Sequence, residues 1–133
     1  MSIFLFENNI KLIIILVKII FYTYIISFLL TVIINPGIPK RETFSKKVER
    51  EYKGDFSTLR KCDKCNIILP MTIKVEHCSF CNICILNRDH HCPWIGKCVG
   101  RYNIVQFCVF FTFLYLFIIC SIIVLIIYIK RHY

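Results

Sequence analysis

Residues 89–92 read Asp89-His90-His91-Cys92 and run directly into Pro93-Trp94. An acid, two imidazoles and a thiol in succession are the parts of a covalent catalyst. A free cysteine has a pKa of ~8.5 and is a weak nucleophile at neutral pH until a base or a positive charge assists it. A carboxylate can orient an imidazole, and an imidazole can take the proton of a thiol. The plain alternative is that these side chains are metal ligands, because the segment around them is dense in Cys and His.

The chain has nine cysteines, and seven of them lie between Cys62 and Cys98. Cys62-x2-Cys65 is one knuckle pair; His77-Cys78-x2-Cys81-x2-Cys84 follows, then His91, Cys92 and Cys98. A two-residue gap lets both sulfurs of a tight turn reach one tetrahedral ion at ~2.3 Å. Disulfides are disfavoured if the segment is cytosolic. An iron–sulfur cluster fits poorly: the ferredoxin-type run puts its last Cys about three residues after the third, and here seven residues separate Cys84 from Cys92. Two zinc sites of three Cys and one His each use six Cys and two His of the seven and three available. One Cys and one His remain, and if these are Cys92 and His90 they stand next to Asp89 and are free for chemistry.

The elements that must position this segment are apolar. One run extends from Leu12 to Ile34, broken only by Lys18; a second extends from Ile104 to Ile129 with no charged residue. Each exceeds the ~20 apolar residues that carry a helix across a bilayer. Lys18 must snorkel or face protein. A signal peptide is disfavoured for the first run, because Met1 to Ile10 holds Glu7 and no Lys or Arg, and no small-residue cleavage site follows. The stretch Asn35–Asn103 carries all but four of the Lys and Arg residues, the four being Lys11, Lys18, Lys130 and Arg131. The positive-inside rule makes it cytosolic, with both termini on the other side. A basic segment between membrane helices suits anionic head groups or an anionic cofactor, and those helices exclude nucleic acid as the expected partner. Cys108 and Cys120, in the second run, read as small buried apolar residues.

The stretch Cys62–Asn103, about a third of the chain, resembles the cysteine-rich domain of DHHC-type protein S-acyltransferases (palmitoyltransferases). HCSFCNIC at 77–84, DHHCPW at 89–94, Cys98-Val99-Gly100 and Asn103 carry the resemblance. Asn35-Pro36-Gly37 looks like a variant of the family's Asp-Pro-Gly motif. The resemblance implies a membrane α-helical protein in which two transmembrane helices (10–34 and 104–129) flank a linker (35–61) and a small zinc-stapled cytosolic domain with short β-hairpins (62–103). It implies two structural zinc ions, one held by Cys62, Cys65, His77 and Cys84, the other by Cys78, Cys81, His91 and Cys98. It implies Cys92 as the acylated nucleophile, His90 as its base and Asp89 as the residue orienting His90. Acyl-CoA would be the substrate, with membrane lipid and proteins bearing membrane-proximal cysteines as partners. The fatty chain would lie in a groove between the helices. Endoplasmic reticulum or Golgi is the family's default location.

The chain departs from the family pattern in several places. The family has four transmembrane helices and a Thr-Thr-x-Glu motif after the last; this sequence has two apolar runs and no such motif, so a fragment or a reduced member is expected. Ile68-Leu69-Pro70-Met71-Thr72 stands where the family has a basic residue, Pro and then Arg, and Lys74 is the nearest cation. Lys97 replaces a common Asn before the Cys of CVG. It reads as a solvated cation, ahead of a phosphate contact or a charge acting on Cys92. Trp94 reads equally as a membrane-interface residue or as packing against the zinc-stapled loop. Residues 39–60 read as a charged linker with one short helix. A non-catalytic, membrane-anchored zinc module is the alternative function. A membrane RING-type ubiquitin ligase ranks below both, because its ligand gaps are longer and it needs no Asp-His-His-Cys cluster.

Overall fold

The computed structural model describes residues 2–39 and 59–132. The expected linker over 39–60 lies outside these residues except for Pro39, Leu59 and Arg60. In chain order the elements are α1 (Ser2–Ile33), β1 (Leu59–Cys62), β2 (Ile67–Pro70), β3 (Val75–Cys78), β4 (Ile83–Leu86), β5 (His90–Cys92), a 3-10 turn (Pro93–Ile95), β6 (Lys97–Val99) and α2 (Ile104–His132). They form two units, one of Met1–Leu30 with Gln106–Tyr133 and one of Thr31–Val105.

The first unit is helical. Ile10–Ile33 and Ile104–His132 are both long and apolar enough to cross a membrane. Only 6% of each apolar window is buried among the described residues, unlike the mostly buried core helix of a soluble protein. Their apolar surfaces face outward, which is stable where the solvent is lipid. Hydroxyl groups on them are satisfied within the helix: Thr23 donates to the Ile19 carbonyl, Ser27 to Thr23, Thr112 to Cys108 and Ser121 to Phe117. The two helices meet through aromatic rings at helical spacing. Phe21 lies 5.4 Å from Phe117, Tyr24 stacks at 5.6 Å on Phe110, and Phe28 lies 5.4 Å from Phe110. The pairing runs antiparallel, and Phe110 is buried in it. An apolar groove of about 480 Å³ between the same helices is lined by Ile13, Ile14, Val17, Lys18, Val124 and Ile127, among others. Cys108 is exposed on α2 and Cys120 half-buried, so neither is the small buried apolar residue expected from the second run.

The second unit consists of three antiparallel hairpins, β1–β2, β3–β4 and β5–β6. Each knuckle pair ends in an asparagine with positive φ, Asn66 at 51° after Cys65 and Asn82 at 53° after Cys81. Asparagine enters this left-handed region more readily than most residues, which lets the chain reverse immediately after the second thiol. In β5–β6 the reversal uses Gly96 at φ 64°, whose N–H returns to the Pro93 carbonyl. The buried apolar residues are few: Ile67, Leu69 and Val75 surround Cys65 and Cys84, while Ile85 lies with Cys78 and Cys98. Cores this small do not hold a fold of this size alone and call for a covalent or metal staple.

The segment after α1 is built into this unit. The Asn35 side-chain oxygen accepts the Gly37 and Ile38 N–H groups, both at 2.8 Å, closing an Asx turn. The Leu86 N–H then donates to the Gly37 carbonyl at 2.8 Å, and the Arg101 N–H donates to the Leu86 carbonyl at 3.1 Å. Asn103 is fully buried: its amide nitrogen donates to the carbonyls of Thr31 and Cys98, and its oxygen accepts the Gly100 N–H.

Candidate metal centres and a candidate nucleophile

Strand alternation explains how one short segment serves two centres. Successive side chains of a strand leave opposite faces, and cross-strand partners share a face. On β3, His77 therefore faces one way and Cys78 the other. His77 is paired with Cys84 across β3–β4, and His91 with Cys98 across β5–β6. The outcome is two groups, Cys62, Cys65, His77 and Cys84 in one and Cys78, Cys81, His91 and Cys98 in the other, whose ligand atoms all lie within 4.8 Å of one another. They are the two sets that the family resemblance implied.

The spacing within each group suits a tetrahedral ion. With metal–sulfur bonds of ~2.3 Å and metal–nitrogen bonds of ~2.0 Å, the edges of the tetrahedron are ~3.5 Å from N to S and ~3.8 Å from S to S. His77 Nδ1 stands 3.3 Å from Cys65 Sγ, 3.6 Å from Cys62 Sγ and 3.9 Å from Cys84 Sγ. His91 Nδ1 stands 3.2 Å from Cys81 Sγ and 3.7 Å from both Cys78 Sγ and Cys98 Sγ, while the Cys81 and Cys98 sulfurs are 3.7 Å apart. All six cysteines are free thiols.

Electrostatics point the same way. The Cys65 N–H, against burial and with help from the Cys84 and Cys65 thiols, holds the Cys62 thiol below its ordinary value. For Cys78, burial opposes ionisation, but the Cys81 N–H and the Cys98 thiol bring the net shift downward. Burial first, then the hydrogen bonds and charges of neighbouring thiols, pushes Cys84 far up and Cys98 up to about 12. In each group one thiol, Cys84 or Cys98, therefore favours its protonated form. The fit of donor set, distances and charge to a divalent ion is good at both centres.

The chemistry-bearing cluster is divided by the same alternation. His91 faces the second metal group, so His90 and Cys92 leave the opposite face of β5 together. Cys92 is extended, at φ −105° and ψ 111°, and only 2% exposed. Asp89 Oδ2 lies 2.9 Å from His90 Nδ1, and the Asp89 N–H is anchored on the Val99 carbonyl. A hydrogen bond from Nδ1 to the carboxylate leaves Nε2 as the basic nitrogen. Trp94, one step beyond Pro93, is 83% exposed, so it is not packed against the hairpins.

Lys97 differs from its sequence reading. It is half-buried, and its ammonium donates to the carbonyls of Val32 at 2.7 Å and Ile34 at 2.9 Å. Burial lowers its pKa, with the Cys81 thiolate opposing. The spare carbonyls at the end of α1 outcompete water for this cation, and nothing in the local sequence marks a partner more than sixty residues away.

The family model for DHHC palmitoyltransferase matches residues 55–133. Among curated relatives, palmitoyltransferase ZDHHC16A of Danio rerio is 43% identical over 63 residues, 45% of this chain and 16% of the relative. Palmitoyltransferase ZDHHC7 of Mus musculus is 39% identical over 87 residues, 65% of this chain and 27% of the relative. Palmitoyltransferase PFA3 of Debaryomyces hansenii is 45% identical over 62 residues, 47% of this chain and 15% of the relative. The chain therefore spans roughly a quarter or less of the length of these relatives.

Proposed function

Because the chain belongs to the DHHC palmitoyltransferase family, we propose that it is a membrane-bound protein S-acyltransferase in which Cys92 carries the acyl group. The observation that supports this most is the division on β5: His90 and Cys92 share one face, His91 joins Cys78, Cys81 and Cys98 on the other, and Asp89 holds His90 at 2.9 Å.

In the proposed reaction His90 Nε2 takes the Cys92 proton. The sulfur attacks the thioester carbonyl of acyl-CoA, a new S–C bond forms, the bond to the CoA sulfur breaks, and CoA leaves with the proton. A cysteine thiol of a protein substrate then attacks the Cys92 thioester, loses its proton to His90, and takes the acyl group as Cys92 departs. One thioester replaces another at each step, so the residues need only supply a thiolate and its placement. Asp89 fixes the His90 tautomer and stabilises the imidazolium.

Zinc is the ion proposed for both groups, Cys62, Cys65, His77 and Cys84 in one and Cys78, Cys81, His91 and Cys98 in the other. Four protein ligands close each site, so its contribution is to folding. In this reading 10–34 and 104–129 are transmembrane helices, 35–61 is a linker, and 62–103 is the catalytic domain on the cytosolic side of an endoplasmic reticulum or Golgi membrane. The acyl chain lies among the membrane helices, gaining ~0.8 kcal/mol per buried methylene. Partners are membrane lipid, acyl-CoA and proteins with membrane-proximal cysteines, not nucleic acid.

The test is incubation of the purified chain in lipid with a labelled fatty acyl-CoA. The expected result is a hydroxylamine-sensitive label that disappears in Cys92→Ser. Undiminished label in that variant contradicts the reading.

A further inference from the structure

We propose that Lys97 is a positioning residue whose ammonium clamps the last turn of α1 onto the hairpin carrying Cys92, setting the nucleophile against the end of a membrane-crossing helix. The proposal rests on the acyl-transfer reading above. Lys97 is the register partner of Cys92 across β5–β6, so the two side chains leave the same face of the hairpin. From that face Nζ reaches the carbonyls of Val32 and Ile34 at 2.7 and 2.9 Å. A helix leaves its last carbonyls without internal partners, and a cation is the favoured group beside them. Asn103 takes the neighbouring Thr31 carbonyl at 3.3 Å. Two side chains from the short stretch 97–103 therefore cap three carbonyls at the end of α1.

In this proposal the clamp holds the end of α1 at the face from which Cys92 leaves; the thiol there is 2% exposed, while Trp94, two residues on, is 83% exposed. It also ties the hairpin that carries the sulfur to the turn that bears those carbonyls. Displacing a reacting atom by about 1 Å can cost ~100-fold in rate. Methionine at 97 would keep an unbranched apolar side chain but offer no donor, leaving two carbonyls uncapped and the hairpin free to move. Arginine would keep both the charge and two donors.

The experiment compares Lys97→Met and Lys97→Arg with the full wild-type chain in lipid, after checking that each retains its zinc. Self-acylation is followed against acyl-CoA concentration. Lys97→Met is expected to lower the saturating rate about tenfold or more with an unchanged half-saturation concentration, and Lys97→Arg to restore it to within about twofold. Equal rates in wild type and Lys97→Met, or equal losses in Met and Arg, overturn the proposal. A second arm reads the clamp without acyl transfer: peptide-resolved maleimide labelling of Cys92 in the zinc-loaded chain. Lys97→Met is expected to label about tenfold faster than wild type, by release of a thiol that is otherwise covered; unchanged labelling overturns the clamp. A wild-type chain that never acylates contradicts the transferase reading, while the labelling arm still decides the clamp.

Discussion

Gly100 offers a sharp test of how the segment after α1 is joined to the hairpins. A Cβ built there would lie 2.5 Å from the Pro36 carbonyl oxygen and 2.7 Å from Ile85 Cγ2. Ordinary contact begins at 3.4 Å, so the Gly100→Ala methyl is short of room by about 0.9 Å on one side and 0.7 Å on the other. Neither neighbour yields easily, because one is backbone in an Asx turn and the other is a side chain with no exposed surface. Overpacking a tight site costs about 1–3 kcal/mol, and two stiff neighbours place this change near the upper end. At about 1.4 kcal/mol per factor of ten, the docked state loses about 100-fold in population relative to the open one. Hydrogen exchange reads this directly, because the Leu86 N–H is bonded to the Gly37 carbonyl across the junction. Its exchange is expected to accelerate about 100-fold in Gly100→Ala. The Ile73 N–H, bonded to the Pro70 carbonyl at the end of β2, serves as internal control and is expected to be unchanged. Equal protection of Leu86 in both proteins would refute the close-approach argument.

Other consequences follow from the same geometry. Cys84→Ser removes one of three thiols from the first metal group, and bound zinc is expected to fall from two ions to one by elemental analysis, with loss of hairpin protection around Val75. Because burial and neighbouring thiols keep Cys98 protonated below about 12, metal entry at neutral pH must expel that proton. Zinc affinity of this group is therefore expected to fall at least about tenfold per unit of acidification, measured by chelator competition at two pH values; a pH-independent constant would contradict the assignment. His90→Ala is expected to slow self-acylation by about 100-fold or more with zinc content intact. Asp89→Asn should lose less than His90→Ala, because it alters only the partner of Nδ1; the ratio of the two rates is the measurement.

Much of the candidate site was legible because metal chemistry imposes short, regular spacing. Cys62-x2-Cys65 and Cys78-x2-Cys81 announce their turns, and the long apolar runs announce α1 and α2 without any tertiary information. The partition of His90, His91 and Cys92 was harder to read from residue types alone. Strand alternation separates them, but β5 is only three residues long and too short to show a period. Lys97 was misread because its partners, Val32 and Ile34, are distant in sequence and are backbone atoms that no side-chain pattern reports. The burial of Asn103 and the tight approach at Gly100 are hidden for the same reason: each depends on where the chain after α1 returns.

The central claim is that Cys92, separated from the metal ligands by strand alternation, is the residue that becomes acylated. The most direct measurement is intact mass of the zinc-loaded chain after mixing with acyl-CoA, followed by peptide mapping of the product. The account predicts a gain of one acyl group located on Cys92, formed without loss of zinc. An acyl group on Cys108 or Cys120 with Cys92 unmodified, or acylation that appears only as zinc is released, would contradict it.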